Sequence, residues 1–64
     1  MFTPSEIARL RRDLGLSVIE FARRLGVHRN AVYGWEQGRR HPRYDSLLML
    51  HRLSKKLALG APAK

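Results

Sequence analysis

Two short phrases do most to limit what this chain can fold into. "FTPSEI" and "LSVIEF" carry the same helix-start device. In the first, Thr3 stands as N-cap, Pro4 takes the first helical position and Glu6 closes a capping box, with Phe2 and Ile7 placed as a hydrophobic staple. In the second, Ser17 caps, Glu20 closes the box, and Leu16 and Phe21 form the staple. A capping box satisfies backbone donors that only a helix N-terminus leaves free, so each phrase starts a helix at a defined residue. Gly15 and Gly26 then supply left-handed stops. Inside these limits Ile7, Leu10 and Leu14 recur on one face, and Phe21, Ala22 and Leu25 form the next inward stripe, with Arg23 and Arg24 outward.

The punctuation continues along the chain. A third helix is expected to begin near His28 or Arg29 and run to Gly38. "RRHPR" reads as a loop, because Pro42 disfavours helix at the residue before it. A fourth helix should start near Tyr44 and reach about Leu57. No segment alternates with period two over strand length, so the expectation is all-α: one domain over residues 1–58 and a flexible tail over 59–64.

With 64 residues the core is small, and without cysteine no disulfide or thiolate metal site can staple it. His28, His41 and His51 are scattered away from any carboxylate cluster, so no metal is expected. The serines and histidines follow no recognisable triad order. No two acids form an evident catalytic pair, and a domain this size has no deep pocket, so the chain is read as no enzyme. The formal net charge of +8 favours a polyanionic partner. No apolar run approaches transmembrane length, and "MFTPSE" lacks the features of a signal peptide, so a cytoplasmic location is expected.

"GVHRNAVYGWEQGRRHPR" is where a function enters. On a 3.6-residue repeat Ala31, Val32 and Trp35 share one side, and Arg29, Asn30, Tyr33, Gly34 and Gln37 share the other. Trp35 is thereby read as a core residue. The opposite side carries hydrogen-bonding forks and amides where a merely solvated face would carry Glu–Lys pairs. Gly34 costs roughly 1 kcal/mol against alanine in a helix interior, which suggests close approach of another surface. Ala22, Gly26, Val32 and Trp35 have the spacing A-x3-G-x5-V-x2-W. This is the logic of two helices crossing through a tight turn: a small residue at the crossing, a left-handed residue in the turn, and apolar anchors facing back. In a helix-turn-helix the second helix enters the DNA major groove.

Taken together, "LRRDLGLSVIEFARRLGVHRNAVYGWEQGRRHP" resembles the Cro/repressor-type helix-turn-helix family, also called the xenobiotic-response-element family, over about residues 5 to 57. The resemblance implies a compact four- to five-helix bundle, the lambda repressor-like DNA-binding domain, that binds double-stranded operator DNA, usually as a homodimer. It implies a recognition helix at residues 28 to 37, with base-reading positions at Arg29, Asn30, Tyr33 and Gly34 and with His28 at the helix start. Arginine suits guanine O6 and N7, and asparagine suits adenine N6 and N7. Gly34 offers no side chain where relatives often place a reader. The phosphate contacts of the family correspond to Ser17 and Val18 at the start of the second helix, to Gln37, and to Arg39, Arg40 and Arg43 of the loop. Relatives commonly have glutamine where this chain has Val18, so one side-chain contact is missing. A structural ion pair between Arg11 and Glu36 is also implied.

No cofactor or small-molecule ligand is expected, since the chain ends in "ALGAPAK" where many relatives continue into an effector domain. The fourth helix carries more apolar residues than three short helices can cover. Following the core positions of the family, Tyr44, Leu47 and Leu48 are assigned inward. Met49, Leu50, Leu53 and Leu57 are left as a dimer interface. Two alternative functions stand beside a transcriptional regulator: an antitoxin that would also hold a toxin protein, and a basic module binding protein or membrane through "LLMLHRLSKKL".

Overall fold

The computed structural model describes residues 2–60 of the chain, with side chains up to Ala58. It contains four helices in the order α1 (Pro4–Asp13), α2 (Val18–Leu25), α3 (Arg29–Glu36) and α4 (Tyr44–Gly60), with no strand among the described residues. The expectation of four to five helices is thus met at four.

Local chemistry accounts for the helix ends. Thr3 and Ser17 accept from the amides of Glu6 and Glu20, and both glutamates return a bond to the cap amide at 2.9 Å. Both boxes are therefore closed. The staple residue Phe2 packs against the core, and the His51 ring of α4 meets it edge-on at 5.2 Å.

One closing pattern ends α1, α2 and α3. Gly15, Gly26 and Gly38 take φ of 72°, 72° and 77°. After each, an amide reaches back into the last turn: Leu16 to the Arg11 carbonyl, Val27 to Ala22, and Arg39 to Gly34. These are Schellman motifs, which need a left-handed residue at the position that glycine fills.

The core is made by Ile7, Leu10, Phe21, Ala22, Leu25, Val32, Trp35 and Leu50. α2 and α3 make the most extensive helix pair. α1 packs on α3, and α4 closes over α2. Ala22 is buried at the crossing, as the spacing predicts, and so is Trp35. Buried apolar area of this kind supplies most of the stabilisation, at roughly 25 cal/mol per Å².

The reading of α4 needs correction. Leu50 is completely buried in the core, not left for a partner. Met49, Leu53 and Leu57 are half-buried and pack against that core. Tyr44, assigned inward, is 76% exposed, and Leu48 is 44% exposed. The physical reason is a rotation about the helix axis. The inward arc is centred on Leu50 and takes in Ser46, Leu47, Leu53, Ser54 and Leu57. The opposite side carries Leu48, Arg52 and Lys55. Two serines on the buried arc obscured it in the hydrophobic pattern. The same finding places Leu50 of "LLMLHRLSKKL" in the core and leaves Leu48 as the exposed large apolar residue of that stretch. Among the described residues no helix is long and apolar enough to cross a membrane. α4 also runs past the expected domain end at residue 58, to Gly60, and the rest of the expected tail lies outside the described residues.

Candidate nucleic-acid interface

α3 is positioned from both ends. At its start His28 serves as N-cap, with Nδ1 accepting from the Asn30 amide at 3.1 Å. This ring nitrogen is therefore committed to the backbone, and Nε2 is the polar atom the ring has left for a ligand. At the other end Glu36 takes two bonds from Arg11 of α1, Nε to Oε2 at 2.7 Å and Nη2 to Oε1 at 3.2 Å. The remaining Nη1 of Arg11 donates to the Leu16 carbonyl in the α1–α2 turn at 3.1 Å. One guanidinium thus ties α1, the following turn and α3 together. The pairing with Glu36 pushes the pKa of Arg11 up, with partial burial opposing. The bidentate geometry makes this a directional link and not only a charge contact.

With the helix so held, Arg29, Asn30, Tyr33 and Gln37 are all exposed on one side. These are four of the residues expected to face DNA. Gly34 does not belong with them as a surface residue. It is buried, and the side chain of Arg40 covers it. The close approach that a mid-helix glycine suggested comes from the chain's own loop. Asn30, Tyr33, Gly34, Gln37, Arg39 and Arg40 together line one shallow concavity.

The loop after α3 is fixed in part by side chains. Gln37 Oε1 accepts from both Nε and Nη2 of Arg39, the Nε contact at 3.0 Å, so two expected phosphate contacts are bound to each other. Arg39, Arg40, His41 and Arg43 are exposed, and Pro42 is half-buried. Arg40, His41 and Arg43 also border a second cleft that reaches down to Trp35 and the buried Ser46. Ser46 had no role in the sequence reading. A serine in an amphipathic helix carries no local sign that it will be buried.

Ser17 and Val18 occupy the start of α2 as expected, but the Ser17 hydroxyl is engaged by the Glu20 amide. The Glu20 carboxylate sits on the cap. The Ser17 amide, and then its hydroxyl, hold the carboxyl below the ordinary glutamate range. A negative charge at this point opposes a phosphate there. Of the expected interface residues Met49, Leu50, Leu53 and Leu57, Leu50 lies in the core and the other three are half-buried and pack against it.

A family model described as helix-turn-helix matches residues 7–57, which takes in the core, α2, α3 and the loop that follows. The chain matches no curated protein and no solved structure at a significant level.

Proposed function

The chain belongs to the Cro/repressor-type helix-turn-helix (xenobiotic-response-element) family of DNA-binding regulators, and we propose that it is a sequence-specific transcriptional repressor that reads the major groove with α3. The observation that carries this reading is the composition of the outward side of α3. Arg29, Asn30 and Tyr33 are exposed together on a helix whose other side is anchored in the core, and an arginine-rich loop continues the same surface. Arginine and asparagine are the side chains whose forks match guanine and adenine edges. Arginines without a neighbouring acid suit phosphates, which position the protein without reading sequence.

On this reading Arg29 and Asn30 read bases, Tyr33 meets a base edge or a thymine methyl, and His28 uses Nε2 at the helix start. Arg39, fixed by Gln37, and Arg43 contact phosphates. The start of α2 takes a lesser part because the Glu20 charge stands on it. Occupancy of an operator that overlaps a promoter blocks transcription by exclusion.

The protein acts as a homodimer on this reading. A twofold pair of α3 helices about 34 Å apart meets successive turns of one face of the duplex and calls for a near-palindromic site. Tyr44 and Leu48, one turn apart on α4, are the exposed apolar residues that support a self-contact. Sedimentation of wild type and Leu48→Glu tests it. Loss of a dimer in the variant supports the reading, and a wild type that stays monomeric free and on DNA refutes it.

Selection from randomised duplex DNA tests the function itself. The expected result is one enriched sequence with twofold symmetry, whose affinity falls with salt at a log–log slope of roughly −0.9 per phosphate contacted. No enrichment over random duplex would refute it. A reporter carrying the selected site upstream should fall in expression when the protein is present; a rise would refute repression alone.

A further inference from the structure

Gly34 lies in the middle of α3, and its backbone does not explain it. The positive-φ glycines are Gly15, Gly26 and Gly38, so position 34 has helical backbone that any residue adopts. Its cause lies in what stands above it. A Cβ at position 34 would meet Arg40 Cδ at 2.6 Å, Cγ at 2.9 Å and Cβ at 3.2 Å. All are closer than the usual carbon–carbon contact of about 3.5–4.0 Å. The stem of Arg40 thus lies across the helix at the one place where no side chain rises.

The backbone holds Arg40 at the same point. The Gly34 carbonyl accepts from the amides of both Arg39 and Arg40, at 2.9 and 3.2 Å. Position 34 therefore seats Arg40 twice, by its carbonyl and by its missing side chain. Arg39, although adjacent, is committed elsewhere, with its guanidinium bound to Gln37 at the end of the helix. The separation of 2.6 Å between the absent Cβ and Arg40 Cδ is about that of two carbons joined through a third. Arg40 Cδ accordingly stands within the space that a longer side chain at position 34 would need. Arg40 lines the concavity shared with Asn30 and Tyr33, and it also borders the cleft next to it.

We propose that Arg40 is a specificity-determining residue: it supplies from the loop the base-reading side chain that α3 lacks at position 34, and its fork takes the O6 and N7 edge of a guanine. This rests on the DNA-binding reading above and divides the loop arginines into two kinds. Arg39 and Arg43 hold the backbone of the duplex, and Arg40 reads. Gly34 is then a positioning residue, acting through Arg40. A planar fork offers two directed bonds to a guanine edge, whereas a lysine ammonium offers a flexible point charge.

The experiment compares the full chain with Arg40→Ala, Arg40→Lys, Gly34→Ala, Arg39→Ala and the double variant Gly34→Ala/Arg40→Ala. Each is measured against the selected duplex and against every single-base-pair substitution of it, at one salt concentration. Arg40→Ala should erase the preference at one base pair of each half-site, by roughly tenfold or more, and leave the ranking elsewhere intact. Arg40→Lys should bind, with the preference at that pair weaker than in the wild type and stronger than in Arg40→Ala. Gly34→Ala should reproduce the loss at the same pair, because the new methyl displaces the Arg40 stem. The double variant should be no worse there than Arg40→Ala alone. Arg39→Ala should weaken all duplexes alike. Thermal melting by circular dichroism separates folding from reading: alanine favours helix over glycine, so Gly34→Ala should stay helical. An Arg40→Ala variant that weakens every duplex equally overturns the assignment and leaves DNA recognition by α3 standing. A wild type without any sequence preference overturns both. Arg40 is exposed in a loop, so its variants carry the test even if Gly34→Ala fails to fold.

Discussion

On one side of α3, Val32 and Trp35 are closed from solvent at 0% and 4% exposure; on the other, Tyr33, between them in sequence, is 45% exposed. Both sides belong to the same eight residues, and they answer to different physics. The inner side is selected by volume and apolar area, and its partners come from α1 and α2. The outer side contributes little to folding, so its residues are free to be chosen for hydrogen-bonding geometry. In a domain this small one helix serves both purposes: the side that anchors α3 holds its exposed side in place. Glu36 at the end of α3 shows the link between the two. It contributes to neither face directly, yet its bonds to Arg11 fix how far and at what angle the outer side stands from the body.

The comparison can be broken most severely from the inside. Trp35→Ala should cost about 3–5 kcal/mol, which a core of this size cannot absorb. Urea titration of the variant should show little or no cooperative transition, and DNA binding should vanish with the fold. If the variant unfolds at the wild-type urea midpoint, Trp35 is not an anchor. The outer side should behave in the opposite manner. Arg29→Ala and Asn30→Ala should leave the urea midpoint in place while relaxing preference at particular bases, by about 1–3 kcal/mol each. Destabilisation of comparable size in either would show that the two faces are not separate.

The link itself lies between these cases. Glu36→Ala leaves Arg11 partly buried without its partner and should lower stability by about 1–3 kcal/mol. Replacing both members by apolar residues, Arg11→Met with Glu36→Leu, should recover much of that stability. It should not recover full affinity, since α3 would lose its directional hold. A double variant as weak in urea as the single would contradict this. Smaller again is the cap of α2. Ser17→Ala should cost about 1 kcal/mol. The depressed carboxyl of Glu20 adds a pH dependence of definite sign. Its stabilisation is complete above the ordinary unfolded glutamate value and is lost as pH falls through the lower folded value. Carboxyl titration by NMR in wild type and Ser17→Ala measures the hydroxyl's share: the variant keeps the amide, the larger cause, so the Glu20 value should rise part of the way, and a value that does not move would refute a part for the hydroxyl.

Helix ends were legible in this sequence because their causes are local. A capping box closes within one turn, and a Schellman stop needs one left-handed residue just after the last turn. Hence Thr3, Ser17, Gly15 and Gly26 announced α1 and α2, and the inward place of Trp35 followed from periodicity. The spacing from Ala22 to Trp35 went further, since a tight helix-turn-helix makes two distant contacts from a short stretch of chain. What α4 buries had no such local cause. Its apolar residues span more than one arc, and the choice among arcs depends on where α2 presents its surface. That surface put Leu50 at the centre and turned Tyr44 and Leu48 outward. The seat of Arg40 on Gly34 is of the same kind. A glycine in a helix interior signals that something comes close. What comes close was settled only by the path of the loop, which folds back after Gly38 and lays an arginine stem over the gap. Local hydrogen-bond closure reaches about one turn along the chain; the rotation of a long helix and the landing place of a loop are set by the surfaces they meet.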